Sequence, residues 1–456
     1  MMRRFLLTAS ALVLAACSAN PITDVSTRAD PLPDLLPPMK NFVQEQPATV
    51  DRKSNHDIAR DFLELSFQLE SGKTIEKLTR FSGPVTVSLA QQSAPRFEAD
   101  LGDLLARIRN EAGIDIQQIA TGTPANIVIQ TLPRRKMQAL VPQAACFVVP
   151  RVVSWDEFRK NRNSGVLDWS TLETRDRATV FIPDDVAPQE ARDCLHEEIA
   201  QALGPLNDIY RLADSVYNDD NMNTALTGFD MLILRTYYSP QLKNGMTKQQ
   251  VAAALPTVLK QLNPKGESLA NDATSTTPRE WIDTIEGALG ARSPRGRRIQ
   301  NARKAVQMAT AEGWQDNRLG FSLFALGRLS LGQEPTTAIE SFQQAYLLYS
   351  KIYGTDDIHT AHVALQLAAF SLSGGHSNEA LDYVNQSLPS VARSQNAALL
   401  AAFLMIKAEA LDFQGRHTEA MTVRLDSLGW ARYGFASDDE IRARLRETAA
   451  LRPGVK

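Results

Sequence analysis

The chain has 456 residues, of which 43% are hydrophobic and 22% charged, an ordinary composition long enough for two or three domains. With 49 basic and 52 acidic residues the formal net charge is −3, which excludes the strong positive field of a nucleic-acid-binding protein. No apolar run beyond the first residues is long enough to cross a bilayer as a helix.

The N-terminus reads "MMRRFLLTASALVLAACSAN": Arg3 and Arg4 form a basic start, residues 5–16 an apolar stretch, and small residues precede Cys17. "LAAC", ending at Cys17, resembles the lipobox of bacterial lipoproteins. The resemblance implies a signal peptide over residues 1–16 and an acylated Cys17 as the mature N-terminus. Ser18 stands where an aspartate would resemble an inner-membrane retention signal. The expected location is therefore the cell envelope, facing the periplasm from the outer membrane, with membrane lipid a partner through Cys17. Such a compartment is oxidising. Setting Cys17 aside leaves Cys146 and Cys194 as a single pair, expected to be a disulfide, the alternative being two separate buried thiols. Residues 17–50 are Pro-rich without periodicity and read as a tether.

Regular patterning begins at Ser54. "SNHDIARDFLELSFQLESG" predicts a helix from a Ser54 cap to Gly72, and "PVTVSL" a strand at 84–89. "FEADLGDLLARIRNEAG" follows as a helix, and "IDI", "NIVIQTL", "CFVV" and "TVFI" as strands. A further helix opens at Pro188, which suits a first turn, and closes at Gly204. The expected fold class is an α+β domain over residues 51–245, a mixed sheet with this helix on it, followed by an all-α solenoid.

That helix carries "CLHEEIAQALGPLND". At about 100° per residue, Leu195, Ile199, Ala202 and Leu203 share a core face, while Glu197, Gln201 and Cys194 lie opposite and Glu198 on the flank. His196 points elsewhere, and the residue four after it is Ala200, which binds no metal. Counted from Glu197, the spacing Glu197-Glu198-x-x-Gln201-x-x-Gly204-x-x-Asn207-Asp208 resembles the H-E-x-x-H-x-x-G-x-x-H pattern of metzincin metalloproteases. Downstream, "DSVYNDDNMNTALTGFDMLILRTYYSP" is similar to the methionine turn and following helix of matrix metalloproteases, with Tyr217 at the methionine's place and Leu226 and Asp230 fitting the later helix. The resemblance extends to an uncharacterised family of Gram-negative lipoproteins with this degenerate motif. It implies that Glu197, Gln201 and Asn207 or Asp208 occupy the three ligand places and Glu198 that of the general base.

The chemistry implied is not that of a peptidase. Zinc sites of this type use three His or two His and a carboxylate, and Gln and Asn are weak neutral donors. Without a metal, water keeps its ordinary pKa near 15.7 and Glu198 has no good nucleophile to activate. No metal and no cofactor are therefore expected. The alternative is a metal-dependent peptidase or other hydrolase with a Glu/Gln/Asn ligand set, in which zinc would return. Neighbouring Glu197 and Glu198 diverge by about 100° on an ideal helix, poor geometry for an acid/base pair.

Two other polar stretches read as structural. "NDDNMN" lacks the glycine and distal glutamate of a calcium loop and reads as a turn, and "RSPRGRR" reads as a solvated helix face, with anionic lipid headgroups the rival contact. Residues 246–315 form a helical connector. From 316 to 456 three units align on Ala338, Ala380 and Ala420, each after a glycine turn at Gly332, Gly375 and Gly415. They resemble tetratricopeptide repeats, "YGTDDIHTAHVALQLAAF" being similar to the longer type found in kinesin light chains, and imply a solenoid with small residues where helices cross. The expected function is a lipid-anchored scaffold or adaptor, a degenerate peptidase-like domain whose repeats bind a protein partner and no nucleic acid.

Overall fold

A computed structural model describes residues 36–42 and 53–454, apart from 92, 94–96, 143, 273, 291 and 292. The signal segment, Cys17 and most of the tether lie outside the described residues.

The strands are β1 (Val85–Leu89), β2 (Ile116–Gln118), β3 (Ile127–Leu132), β4 (Phe147–Pro150) and β5 (Ala178–Pro183). They form a 5-stranded sheet in the order β2-β1-β3-β5-β4. All neighbours pair in parallel except the edge strand β4, which runs antiparallel to β5 with Val148 opposite Val180. After helix α1 (Asn55–Phe67), α2 (Glu98–Arg107) makes the crossover that the parallel pair β1–β2 requires. Two short helices, α3 (Arg134–Gln138) and α4 (Trp155–Asn161), flank β4. Then α5 (Pro188–Leu203), the motif helix, follows β5 directly.

β5 is buried at every position, and its period of two sorts its residues between two cores. Val180 and Ile182 meet Leu195, Ile199 and Leu203 of α5 in the main core. Phe181 points the other way into a smaller core with Trp155 and Phe158, ring centroids 5.3 and 5.6 Å away. Burial of each large apolar side chain on α5 stabilises the layer by about 1.5–3 kcal/mol.

Two features differ from the sequence expectation. α1 has its Ser54 cap, the hydroxyl accepting from the Asp57 amide at 3.1 Å, but it ends at Phe67 and not near Gly72. Gln68 is extended and bridges Thr74 in an antiparallel turn around Gly72, whose φ is +81°. The first core also runs beyond Gly245. After α6 (Gly228–Tyr237), α7 (Lys248–Leu262) adds Val251, Leu255 and Leu259 to it.

The remaining helices are α8 (Arg279–Leu289), α9 (Arg295–Ala311), α10 (Asn317–Ser330), α11 (Pro335–Tyr353), α12 (Ile358–Ser373), α13 (Ser377–Arg393), α14 (Ala397–Phe413), α15 (His417–Gly434) and α16 (Asp438–Ala449). Ala338, Ala380 and Ala420 are fully buried, and Gly332, Gly375 and Gly415 have positive φ. At Gly327 a Cβ would stand 2.6 Å from the Phe342 ring, so α10 and α11 cross at backbone distance. α8 and α9 join the same apolar layer through Trp281, Ile285, Ala305 and Ala309, so the helical stack starts inside the expected connector. Two arginines of "RSPRGRR" serve this stack. Arg298 donates to the Ala288 carbonyl at 2.8 Å and Arg295 to that of Leu329 at 3.1 Å, neutralising helix ends.

The helical stack and the sheet domain share their packing. Tyr210 and Met222, from the chain after α5, sit in the apolar layer of α8–α12, Tyr210 5.2 Å from Trp281. A described part of the expected tether is also docked: the Lys40 amide donates to the Gly429 carbonyl at 3.0 Å, and Phe42 lies 4.6 Å from Trp430 on α15.

Cys146 and Cys194 form a disulfide, joining the chain at the start of β4 to α5 across a separation of 48 residues. In the chain-entropy account closing such a loop stabilises by about 4 kcal/mol. Replacing both cysteines by serine should lower the urea-unfolding free energy by about 3–4 kcal/mol, and an unchanged midpoint would show that β4 and α5 hold together without it.

Candidate functional site

Three devices fix α5. Pro188 occupies its first turn, where a missing N–H costs nothing. At its other end Arg175, 3% exposed, donates to the carbonyls of Gln201 at 2.7 Å and Ala202 at 2.8 Å and also to that of Gly204. A buried guanidinium thus satisfies the carbonyls that a helix leaves open. Gly204 is needed for close approach, because a Cβ there would sit 2.9 Å from the buried Tyr237 ring. Sequence reading found Gly204 and missed Arg175, which lies in a loop with no motif around it.

The N-terminal half of α5 docks on the solenoid. The Gln189 side chain donates to Asn396 Oδ1 at 3.1 Å and accepts from the Ala398 amide at 2.8 Å. Arg192 donates to the Gln395 carbonyl at 2.7 Å. The face of α5 opposite its core residues is therefore covered, by β4 through the disulfide and by the α13–α14 turn.

His196 is 4% exposed and its Nδ1 accepts from the Leu226 amide at 3.0 Å, which puts the ring proton on Nε2. Burial, then the nearby Arg192 and Arg107, hold its pKa well below the usual histidine value, so it is a neutral core group turned away from the cluster.

The carboxylates behave differently from an ideal-helix estimate. Glu197 and Glu198, expected to diverge, bring carboxylate oxygens and the Cys146 sulfur within 4.8 Å of one another. Two methylenes in each side chain give enough reach to close an angle of about 100° once the surrounding face is buried. Glu198 is 4% exposed, takes a hydrogen bond from the Val148 backbone on β4, and keeps Oε2 without a partner among the described residues. Asp208 shares a side-chain hydrogen bond with Glu70 and lies within electrostatic reach of Asp219 and Glu197. Asn207 turns away, donating to the Glu64 carbonyl of α1 at 3.2 Å. Of the two residues expected at the third ligand place, Asp208 is the one that faces the cluster.

Gln201 is 7% exposed, and its carbonyl is taken by Arg175. Tyr217 is fully buried with its hydroxyl unpartnered among the described residues, within electrostatic reach of Asp208. Asp230 closes a capping box on α6 with Thr227 and also accepts from Ser215 at 2.6 Å, which pins the turn before Tyr217.

Glu70 and Asp219 were not singled out from sequence. Asp219 belongs to "NDDNMN", which is indeed a turn: Asn218 and Asp220 accept from the amides two residues on, and Asn221 has φ +56°. The turn nonetheless aims one carboxylate at α5. His359 of α12 holds its other side, with Nε2 3.9 Å from Asp220 and Nδ1 2.9 Å from Asp357. Crowding of acids raises their pKa values. Burial first, then Asp219, Glu70 and Asp193, push Glu197 up to about 8, and burial with Glu70 raises Asp219 to about 7.

The zinc implied by the motif's resemblance does not fit these side chains. The acid, histidine and cysteine group of ligand size among the described residues is Cys146, Glu197 and Glu198, and Cys146 spends its sulfur in the disulfide. Two carboxylates with amides nearby lack the imidazole or thiolate donors that zinc prefers.

A cavity of about 440 Å³ opens beside Glu197, between α5, the Asn218–Asn223 turn and the inner helices α10, α12 and α14.

Two outcomes follow from this packing. A carboxyl raised from 4.5 to about 8 carries an extra proton in the folded state, and the stability this provides is full below pH 4.5 and lost as pH rises through 8. Glu197→Gln should therefore raise the melting free energy at pH 8.5 by about 1–2 kcal/mol and change it little at pH 5, as read by thermal unfolding at both values. Gly204→Ala should cost about 1–3 kcal/mol at either pH, since the methyl group overpacks against Tyr237.

Compared with curated proteins and with solved structures, the chain finds no match. Residues 55–257, the sheet domain through most of α7, match the protein family DUF2927, described as a protein of unknown function.

Proposed function

We propose that this chain is a lipid-anchored envelope adaptor. In this reading its sheet domain is a peptidase-like fold without peptidase chemistry, and its solenoid carries a protein-binding surface. Cys17 is the lipid attachment and the outer membrane the location. The observation that carries the reading is the side-chain set of α5: half-buried Glu197 and the amide of Gln201 occupy the places where a zincin helix holds imidazoles, with Glu198 at the general base's place, while the only histidine of the helix is spent on the Leu226 amide. The motif helix directly after β5, Gly204 ending it, and the return of Asp208 toward Glu197 support descent from a zincin-like arrangement. Stacked helix pairs with buried small residues at Ala338, Ala380 and Ala420 support the repeat reading. Nothing in the composition calls for nucleic acid.

The acidic pair also motivates the hydrolase alternative, because Glu197 and Glu198 bring carboxylate oxygens within 4.8 Å, close enough for each to influence the other's protonation. One experiment separates the two. Purified protein is assayed for zinc by elemental analysis and for cleavage of an unfolded generic protein with and without chelator. The adaptor reading expects zinc far below one per chain and no chelator-sensitive cleavage. Stoichiometric zinc with cleavage abolished by Glu198→Gln would replace it with the enzyme reading.

A further inference from the structure

The cavity beside Glu197 is divided by charge. Asp193 and Glu197 of α5 and Asp219 of the following turn line one side; Arg328 of α10 and Arg444 of α16 line the other. The charged groups acting on Glu197 are Asp219, Glu70 and Asp193, all acids, and those acting on Arg328 are Arg444 and Arg298, both bases. Among the described residues no carboxylate stands within ion-pair distance of Arg328. Arg444 has only loose pairs on its own helix, to Glu440 and Glu447, each at 3.8 Å.

An interface selected for stability alone would let these opposite charges meet, since a pair in contact gains Coulomb energy that two separated clusters forgo. Here about 440 Å³ holds them apart, a volume typical of sites for small molecules. On the acidic side, Glu197 and Asp219 have no cation within ion-pair distance among the described residues. Crowded carboxyls of this kind call for a donor and a positive charge from a bound group. An ammonium group supplies three donors and a positive charge, and a guanidinium fork matches a carboxylate in two parallel hydrogen bonds.

We infer that the cavity binds a small zwitterion of the amino-acid or short-peptide class, its ammonium group on Glu197 and Asp219 and its carboxylate on Arg328 and Arg444. The inference goes beyond the adaptor reading and does not depend on it, because it rests on the lining of the cavity alone.

Isothermal titration of the full chain in detergent tests it with two probes, L-lysine and trialanine with free ends. Two controls are N-acetyl-trialanine and trialanine amide. Saturable binding of either probe is expected, the tighter one telling amino acid from peptide. If trialanine binds, blocking either of its ends should weaken binding about tenfold or more. If only L-lysine binds, its N-acetyl and amide derivatives give the same reading. Arg328→Gln should remove the preference for a free carboxylate over its amide, and Glu197→Gln the preference for a free ammonium; Arg444→Gln replaces the first variant if that one does not fold. No saturable heat from either probe into the millimolar range overturns the inference. So does binding indifferent to the blocked ends or to both substitutions. Absence of a protein partner, by contrast, would sink the adaptor reading and leave this result untouched.

Discussion

The docking of α5 on the α13–α14 turn is the contact on which the site depends. Gln189 meets Asn396 and Ala398, and Arg192 meets the Gln395 carbonyl, so an amphipathic helix whose polar face would ordinarily be wet is covered on that face as well. Once covered, Glu198 has no bulk water to solvate it and Glu197 little. They answer by holding protons, by accepting from β4 as Glu198 does, or by facing the cavity as Glu197 does. Remove that docking and Glu197 becomes an ordinary surface acid. The chemistry of the motif is thus a property of the two halves together, since neither the sheet domain nor the solenoid encloses the cavity alone.

Much of the architecture was legible in the sequence because its signals are local. Short β-branched runs bounded by turn residues locate all five strands, Pro188 and Gly204 bracket α5, and glycines ahead of Ala338, Ala380 and Ala420 mark the repeat turns. What was not legible depends on contacts far apart in the chain. Arg175 caps α5 from a loop, Glu70 reaches Asp208 from the turn after α1, and α8 and α9 join the helical stack through Trp281 without a repeat signature. The placement of Glu197 and Glu198 was misjudged for a related reason. A helical wheel fixes the direction of a Cβ and says nothing of where a long side chain bends when neighbouring chain covers the face.

Several residues around the motif serve packing. Gly204 admits Tyr237, and Asp230 with Thr227 sets the turn beneath Tyr217. The positions that the motif's resemblance gives to metal ligands, Glu197, Gln201 and Asn207 or Asp208, carry oxygen donors, and the core of the domain holds the helix that bears them.

The docked segment before the sheet domain has a mechanical consequence. Phe42 is seated beside Trp430 and Tyr433, within 5.7 Å of the Arg192 guanidinium, while the Lys40 amide and the Pro37 carbonyl bond to α15. A pull applied upstream of Pro37 is therefore borne first by the last repeat and by α5, at the far end of the sequence from where the chain enters. Load on the segment before Pro37 would reach α15 and, through Phe42 and Arg192, the α5 wall of the cavity before any strand of the sheet.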